Sequence, residues 1–126
     1  MTVLDADLLV RAYSAGIFPM ADAHDADDVF WVEPRRRGVL PLDHFHLSRS
    51  LAKLLRAERF ELTADRAFTD VMRACAEPTP DRPDTWINGL ILDAYQALHR
   101  RGQAHSLECW QDGRLAFSQF AVGRLL

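Results

Sequence analysis

Three patterns in this 126-residue chain predict an α+β fold. Residues 66–76 and 89–101 carry apolar side chains at helical spacing: Phe68, Val71, Met72 and Cys75 in the first, Ile91, Ala94, Tyr95 and Leu98 in the second. The runs His105–Gln111 and Arg114–Val122 read as strands, joined by Asp112-Gly113, a dipeptide suited to a tight hairpin because both positions tolerate positive φ. Short alternating pieces upstream add further strand, so helices and strands interleave along the chain. The pattern supports α+β and nothing finer.

Taken in order, residues 5–15 form a first helix with Leu8, Leu9, Ala12 and Tyr13 on one face, and Gly16 stops it. Ile17-Phe18-Pro19 leaves extended, Ala21–Asp28 is an acidic loop, and Val29-Phe30-Trp31-Val32 is a strand ending before Pro34. Gly38–Leu42 is expected as a second short extended piece. Ser48 caps a helix over roughly 49–58, with Leu51, Leu54 and Leu55 inward and Arg49, Lys53 and Arg56 outward. Phe60–Thr63 alternates like a strand, and Asp65 is the expected cap of the helix over 66–76. Glu77–Asp84, with three prolines, is an irregular loop. Gly102 ends the 89–101 helix.

Composition narrows the function classes. With 48% apolar and 26% charged residues the chain is globular, and no stretch approaches the ~18 uncharged apolar residues of a membrane span. The acidic start, Met1–Asp7, lacks the basic and apolar regions of a signal peptide, so the expected setting is the cytoplasm. Cys75 and Cys109 are expected as free buried thiols. A net charge of −3 does not announce a nucleic-acid binder, but the distribution is uneven. Residues 1–30 hold six carboxylates against Arg11, whereas residues 34–60 hold Arg35, Arg36, Arg37, Arg49, Lys53, Arg56 and Arg59 against Asp43 and Glu58. A basic stripe attracts phosphate even on an acidic chain; a solvated charged face is the plainer account of it.

The segments Gly16-Ile17-Phe18-Pro19-Met20, Trp31, Arg35-Arg36-Arg37-Gly38-Val39-Leu40-Pro41-Leu42, Phe45-His46-Leu47-Ser48-Arg49-Ser50, Thr85-Trp86-Ile87-Asn88 and Ala104-His105-Ser106-Leu107-Glu108 stand in an order and spacing that resemble the leucyl/phenylalanyl-tRNA–protein transferase family. The likeness runs from about Leu8 to Leu115. It implies transfer of Leu or Phe from aminoacyl-tRNA onto proteins beginning with Arg or Lys, a tag for degradation. It also implies a small N-terminal lobe (1–42) beside the first part of an acetyltransferase (GNAT)-like lobe (43–126). After Leu115 the resemblance fails: where the family continues with paired glycines and a second half, this chain reads Phe117-Ser118 and runs to Leu126. Strand 114–122 is therefore expected as an unpartnered sheet edge, prone to self-association.

The implied chemistry needs no cofactor, because an aminoacyl ester is already activated. It needs an unprotonated amine beside the ester carbonyl, donors for the oxyanion and exclusion of water. Aromatic faces suit the terminal adenosine, and Tyr13, Phe18, Met20, Trp31, Trp86 and Tyr95 are the candidates; by resemblance Tyr13, Trp86 and Tyr95 line the cleft. Plain core packing is the alternative for each. Met20 stands where some members of the family have Trp, with less area for stacking. Arg35, Arg36, Arg37, Arg49 and Lys53 are the candidates for tRNA phosphates. Asn88 is expected to cap the 89–101 helix, a hydrogen bond to substrate being its alternative, and Glu108, opposite in facing to Leu107 and Cys109, to point into solvent, a cleft-facing carboxylate being its alternative. His44, His46, His99 and His105 lack metal-ligand spacing, so no metal is expected. No catalytic residue is assigned, and tRNA or protein binding without catalysis is the rival reading.

Overall fold

The computed structural model describes residues 3–123. Helices α1 (Ala6–Ser14), α2 (Arg49–Arg56), α3 (Phe68–Ala76) and α4 (Gly89–Arg100) accompany strands β1 (Phe18–Met20), β2 (Phe30–Val32), β3 (Glu61–Ala64), β4 (Ala104–Gln111) and β5 (Arg114–Val122). β1 and β2 form a two-stranded antiparallel sheet, and β3-β4-β5 a three-stranded one, so the α+β class holds.

Local signals explain most boundaries. Asp5 caps α1, its carboxylate accepting from Leu8 N–H at 2.8 Å. Gly16, at φ +81°, closes that helix while Ile17 N–H reaches back to Ala12 O. Asn88 caps α4 through Ile91 N–H, and its amide nitrogen donates to Ala26 O and Asp28 O, tying the acidic loop to the helix start. Asp112 (φ +53°) and Gly113 (φ +78°) make the β4–β5 turn. In the proline-rich loop the Arg82 guanidinium donates to Cys75 O and Glu77 O, satisfying carbonyls at the end of α3.

One core joins these pieces. Ala6 and Leu9 of α1 and Ala21 meet Phe68 and Met72 of α3, Ile87, and Ile91, Ala94, Tyr95 and Leu98 of α4 over Ala104 of β4. Both α3 and α4 cover the same face of the large sheet, the one bearing Ala104, Ser106 and Glu108. The other face is open: Leu62 is 67% exposed, Leu107 60% and Phe117 72%, and Leu62 and Phe117 flank Cys109 on adjacent strands.

Several expectations are corrected. Gly38–Pro41 joins no strand, and Leu42–His44 is a short 3-10 turn, with Val39, Leu40 and Leu42 exposed. Leu51, Leu54 and Leu55 are exposed rather than inward, because α2 makes no extensive contact with another described element. Asp65 does not cap α3: at φ +58° its carboxylate turns to β4, accepting from Ser106 N–H at 3.0 Å and meeting His105 Nδ1 at 2.7 Å. Glu108 is buried, not solvent-facing. Ser48 does cap α2, accepting from Leu51 N–H. Both cysteines are free, but each is only partly buried rather than buried.

Candidate functional site

The aromatic candidates separate into two groups on either side of α1. Tyr13 leaves the helix towards α4, where its hydroxyl lies 2.5 Å from that of Tyr95 and the rings meet edge to face at 6.4 Å. Tyr95 is fully buried and Tyr13 partly open. Burial pushes both phenols up, partly offset at Tyr13 by the hydrogen bond with Tyr95 and reinforced at Tyr95 by Tyr13. Phe120 of β5 is the hub of the cluster, with ring centroids 6.0 Å from Tyr95, 6.1 Å from Trp86 and 6.4 Å from Phe68. Its position on the helix-facing side of β5, one residue out of step with exposed Gln119 and Ala121, is the signal that places it there.

Beside this cluster Val10, Tyr13, Ser14, Gln103, Val122 and Gly123 line a groove of about 440 Å³. Gln103 Oε1 is buried without a hydrogen-bond partner among the described residues, which leaves an acceptor near the groove. Met20 is half-buried at the end of β1; the next residue, Ala21, donates its N–H to Trp86 O at 2.8 Å. Phe18 shares that strand but touches none of these rings. Trp31 stands apart, opposite buried Pro19 in the β1–β2 pair, on the far flank of α1.

The basic candidates are all exposed. Arg37 donates from Nη2 to Gly16 O. Arg35, Arg36, Arg49 and Lys53 form no ion pair among the described residues.

Two polar networks were not legible in sequence. Glu108 Oε1 accepts from the Thr63 hydroxyl at 2.6 Å and from Arg66 N–H at 3.1 Å, so the carboxylate occupies the N-terminal approach to α3. Trp110 Nε1 donates to Thr63 Oγ1, and the Arg66 guanidinium lies 5.1 Å from the Trp110 ring, closing the cluster. Burial pushes Glu108 up, but the Ser106 and Thr63 hydroxyls beside it and the Arg66 and Ala67 N–H groups outweigh that and hold the carboxyl below its ordinary value. Asp65 is likewise pushed up by burial but held low overall, by the His105 hydrogen bond, the Ser106 N–H and the His105 and His99 charges. His99 stacks on Phe68 at 4.2 Å and bonds Ala104 O through Nδ1.

Comparison with known proteins gives this arrangement its context. Residues 39–124 match the family described as leucyl/phenylalanyl-tRNA protein transferase, and residues 3–35 match the N-terminal domain described for the same family. The chain belongs to that family. Relatives named leucyl/phenylalanyl-tRNA–protein transferase occur in Rhizorhabdus wittichii, 62% identical over 97% of this chain, and in Zymomonas mobilis, 58% identical over 95%. A third, from Novosphingobium aromaticivorans, is 52% identical over 93%. These alignments cover 49%, 45% and 44% of the relatives themselves, so the chain spans about half their length. Tyr13, Phe18, Met20, Trp31 and Arg35 lie within the N-terminal match, and Arg49, Lys53, Trp86 and Tyr95 within the other.

Proposed function

We propose that the chain performs the recognition, and takes part in the chemistry, of transferring Leu or Phe from aminoacyl-tRNA to the amino terminus of proteins beginning with Arg or Lys, a degradation tag in the cytoplasm. In that reaction the acceptor amine attacks the ester carbonyl. A C–N bond forms, the C–O bond to the tRNA ribose breaks, and the amine's proton leaves as the ribose oxygen gains one. No redox partner or energy source is required.

The observation that carries the proposal is the Tyr13–Tyr95–Phe120–Trp86 cluster beside its groove, in a chain of this family. Tyr13 offers a polar edge to a ribose or base. Phe18 and Met20 lie on β1, the strand that leads to Ala21 and its hydrogen bond to Trp86 O. Arg35, Arg36, Arg37, Arg49 and Lys53 meet tRNA phosphates. In this reading residues 1–42 form the small lobe and 43–126 the first part of an acetyltransferase-like lobe.

The test is transfer of labelled Leu from Leu-tRNA to a peptide beginning with Arg, with a longer family member as control. Transfer above background is the expected result; its absence from folded protein refutes catalysis by this chain. Binding without transfer is the second reading. Tight aminoacyl-tRNA binding with no labelled peptide selects it.

Self-association belongs to the same proposal. β5 has no strand partner on its outer edge among the described residues, and Leu62, Leu107 and Phe117 lie open on the adjoining face. Sedimentation velocity is expected to show concentration-dependent dimers, which Phe117→Lys and Leu107→Lys shift to monomer. A monomer at every concentration refutes this part alone.

A further inference from the structure

The flank of α1 away from Tyr95 carries a second groove. Leu8, Arg11, Ala12 and Ala15 of α1, with Ile17 and Trp31, line about 360 Å³. Helical geometry separates the two grooves: positions 10, 13 and 14 point to one side of α1, and 8, 11, 12 and 15 to the other. The floor is apolar. Trp31, 40% exposed, forms the wall and makes no ring contact with another aromatic among the described residues.

Guanidinium groups stand at two places on this groove. Arg11 lines it directly, and Arg37 is held at one end by donation to Gly16 O, between the lining residues Ala15 and Ile17. Gly16 is required by its φ of +81°, not by space, since a Cβ there would stand in ordinary contact with Arg37 Nη2 at 3.4 Å. Neither arginine is paired with a carboxylate among the described residues, and exposed Arg35 and Arg36 adjoin Arg37 in sequence. An indole face over an apolar floor takes a planar base, and unpaired guanidinium groups at the rim take the phosphate joined to it. An aliphatic side chain would use the floor but leave the charges unanswered.

We propose that this groove binds an unpaired nucleotide of the tRNA 3′ tail, its base against Trp31 and its phosphate against Arg11 and Arg37. The proposal rests on the aminoacyl-tRNA reading above and assigns Trp31 to a tail nucleotide other than the terminal adenosine. An α-helix is roughly 10 Å across with its side chains, so a tail of several nucleotides reaches both flanks of α1. Trp31 and Tyr13 thus serve successive parts of one strand.

The experiment measures binding of two labelled RNA hairpins to the purified chain by fluorescence anisotropy at low salt: one with an unpaired 3′ tail, one blunt-ended. The wild-type chain is expected to bind the tailed hairpin more tightly. Trp31→Ala weakens tailed binding by about 5- to 150-fold, the loss of one base–aromatic stack, and leaves blunt binding unchanged. Trp31→Phe retains most of the tailed affinity. Ala15→Trp, which fills the groove without removing its wall, weakens tailed binding as Trp31→Ala does. Arg11→Ala weakens tailed binding and flattens its salt dependence.

If Trp31→Ala and Ala15→Trp, shown folded by circular dichroism, both bind the tailed hairpin like wild type, the groove is excluded and the tRNA reading survives. Equal weakening of both hairpins by Trp31→Ala also overturns the stacking role. Failure of the wild-type chain to bind either hairpin overturns this inference together with tRNA recognition.

Discussion

Replacing Glu108 by alanine is expected to lower the unfolding free energy by about 3 kcal/mol at neutral pH. The Thr63 hydroxyl and the Arg66 N–H both give up a buried acceptor, and each such loss costs about 1–3 kcal/mol. Set against the roughly 5–15 kcal/mol of a typical domain, that is a large share. Glu108→Gln keeps an acceptor oxygen and is expected to lose about 1 kcal/mol. Urea unfolding followed by circular dichroism measures both. An unchanged midpoint for Glu108→Ala would mean that water replaces the carboxylate at the start of α3.

The same network fixes a pH dependence. Glu108 and Asp65 are both held below their ordinary carboxyl values in the folded chain. A lowered folded-state value means that the unfolded state binds protons first on acidification. Their contribution is therefore fully present above the unfolded values of about 4 and is lost as pH falls through the lower folded ones. Urea midpoints are expected to hold steady from pH 7 to about 5 as far as these two groups are concerned, then fall. Glu108→Gln makes the acid loss shallower; a wild-type slope in that variant would remove Glu108 from the account.

How far the sequence was legible follows from the range of the interaction each residue makes. Asn88, Ser48 and Gly16 act on neighbours within a few residues, and their caps and stop were readable. The α4 stripe was readable because its apolar spacing names the face that any core would claim. Glu108 was not. Alternation put it opposite Leu107, but only the packing of α3 and α4 decides which side is covered, and they took the polar side. Asp65 stood where a cap would stand, yet positive φ turned it to Ser106 and His105, some forty residues away. α2 reads as amphipathic because it is; periodicity says which face would be buried, not whether anything lies against it. Among the aromatic candidates, nothing local could show that α1 divides Trp31 from Tyr13.

Tyr95 carries the other large expectation, and it ties fold to site. Its ring is fully buried among α1, α4 and β5, so Tyr95→Ala is expected to cost about 3–5 kcal/mol through the cavity it leaves. Tyr95→Phe keeps the ring and loses only the hydroxyl pair with partly exposed Tyr13, at about 1 kcal/mol or less. The chain has only these two tyrosines, so tyrosinate absorbance reports on this pair without background. Because both phenols are raised, little tyrosinate is expected near pH 10 while the chain stays folded. The unfolded state ionises there first, so it binds fewer protons than the folded one and stability falls as pH rises past about 10. Tyrosinate should then appear together with unfolding, as one transition by absorbance and by circular dichroism. Ordinary titration of both tyrosines near pH 10 in folded protein would show the pair open to water, and the cleft proposed beside it would lose its dry wall.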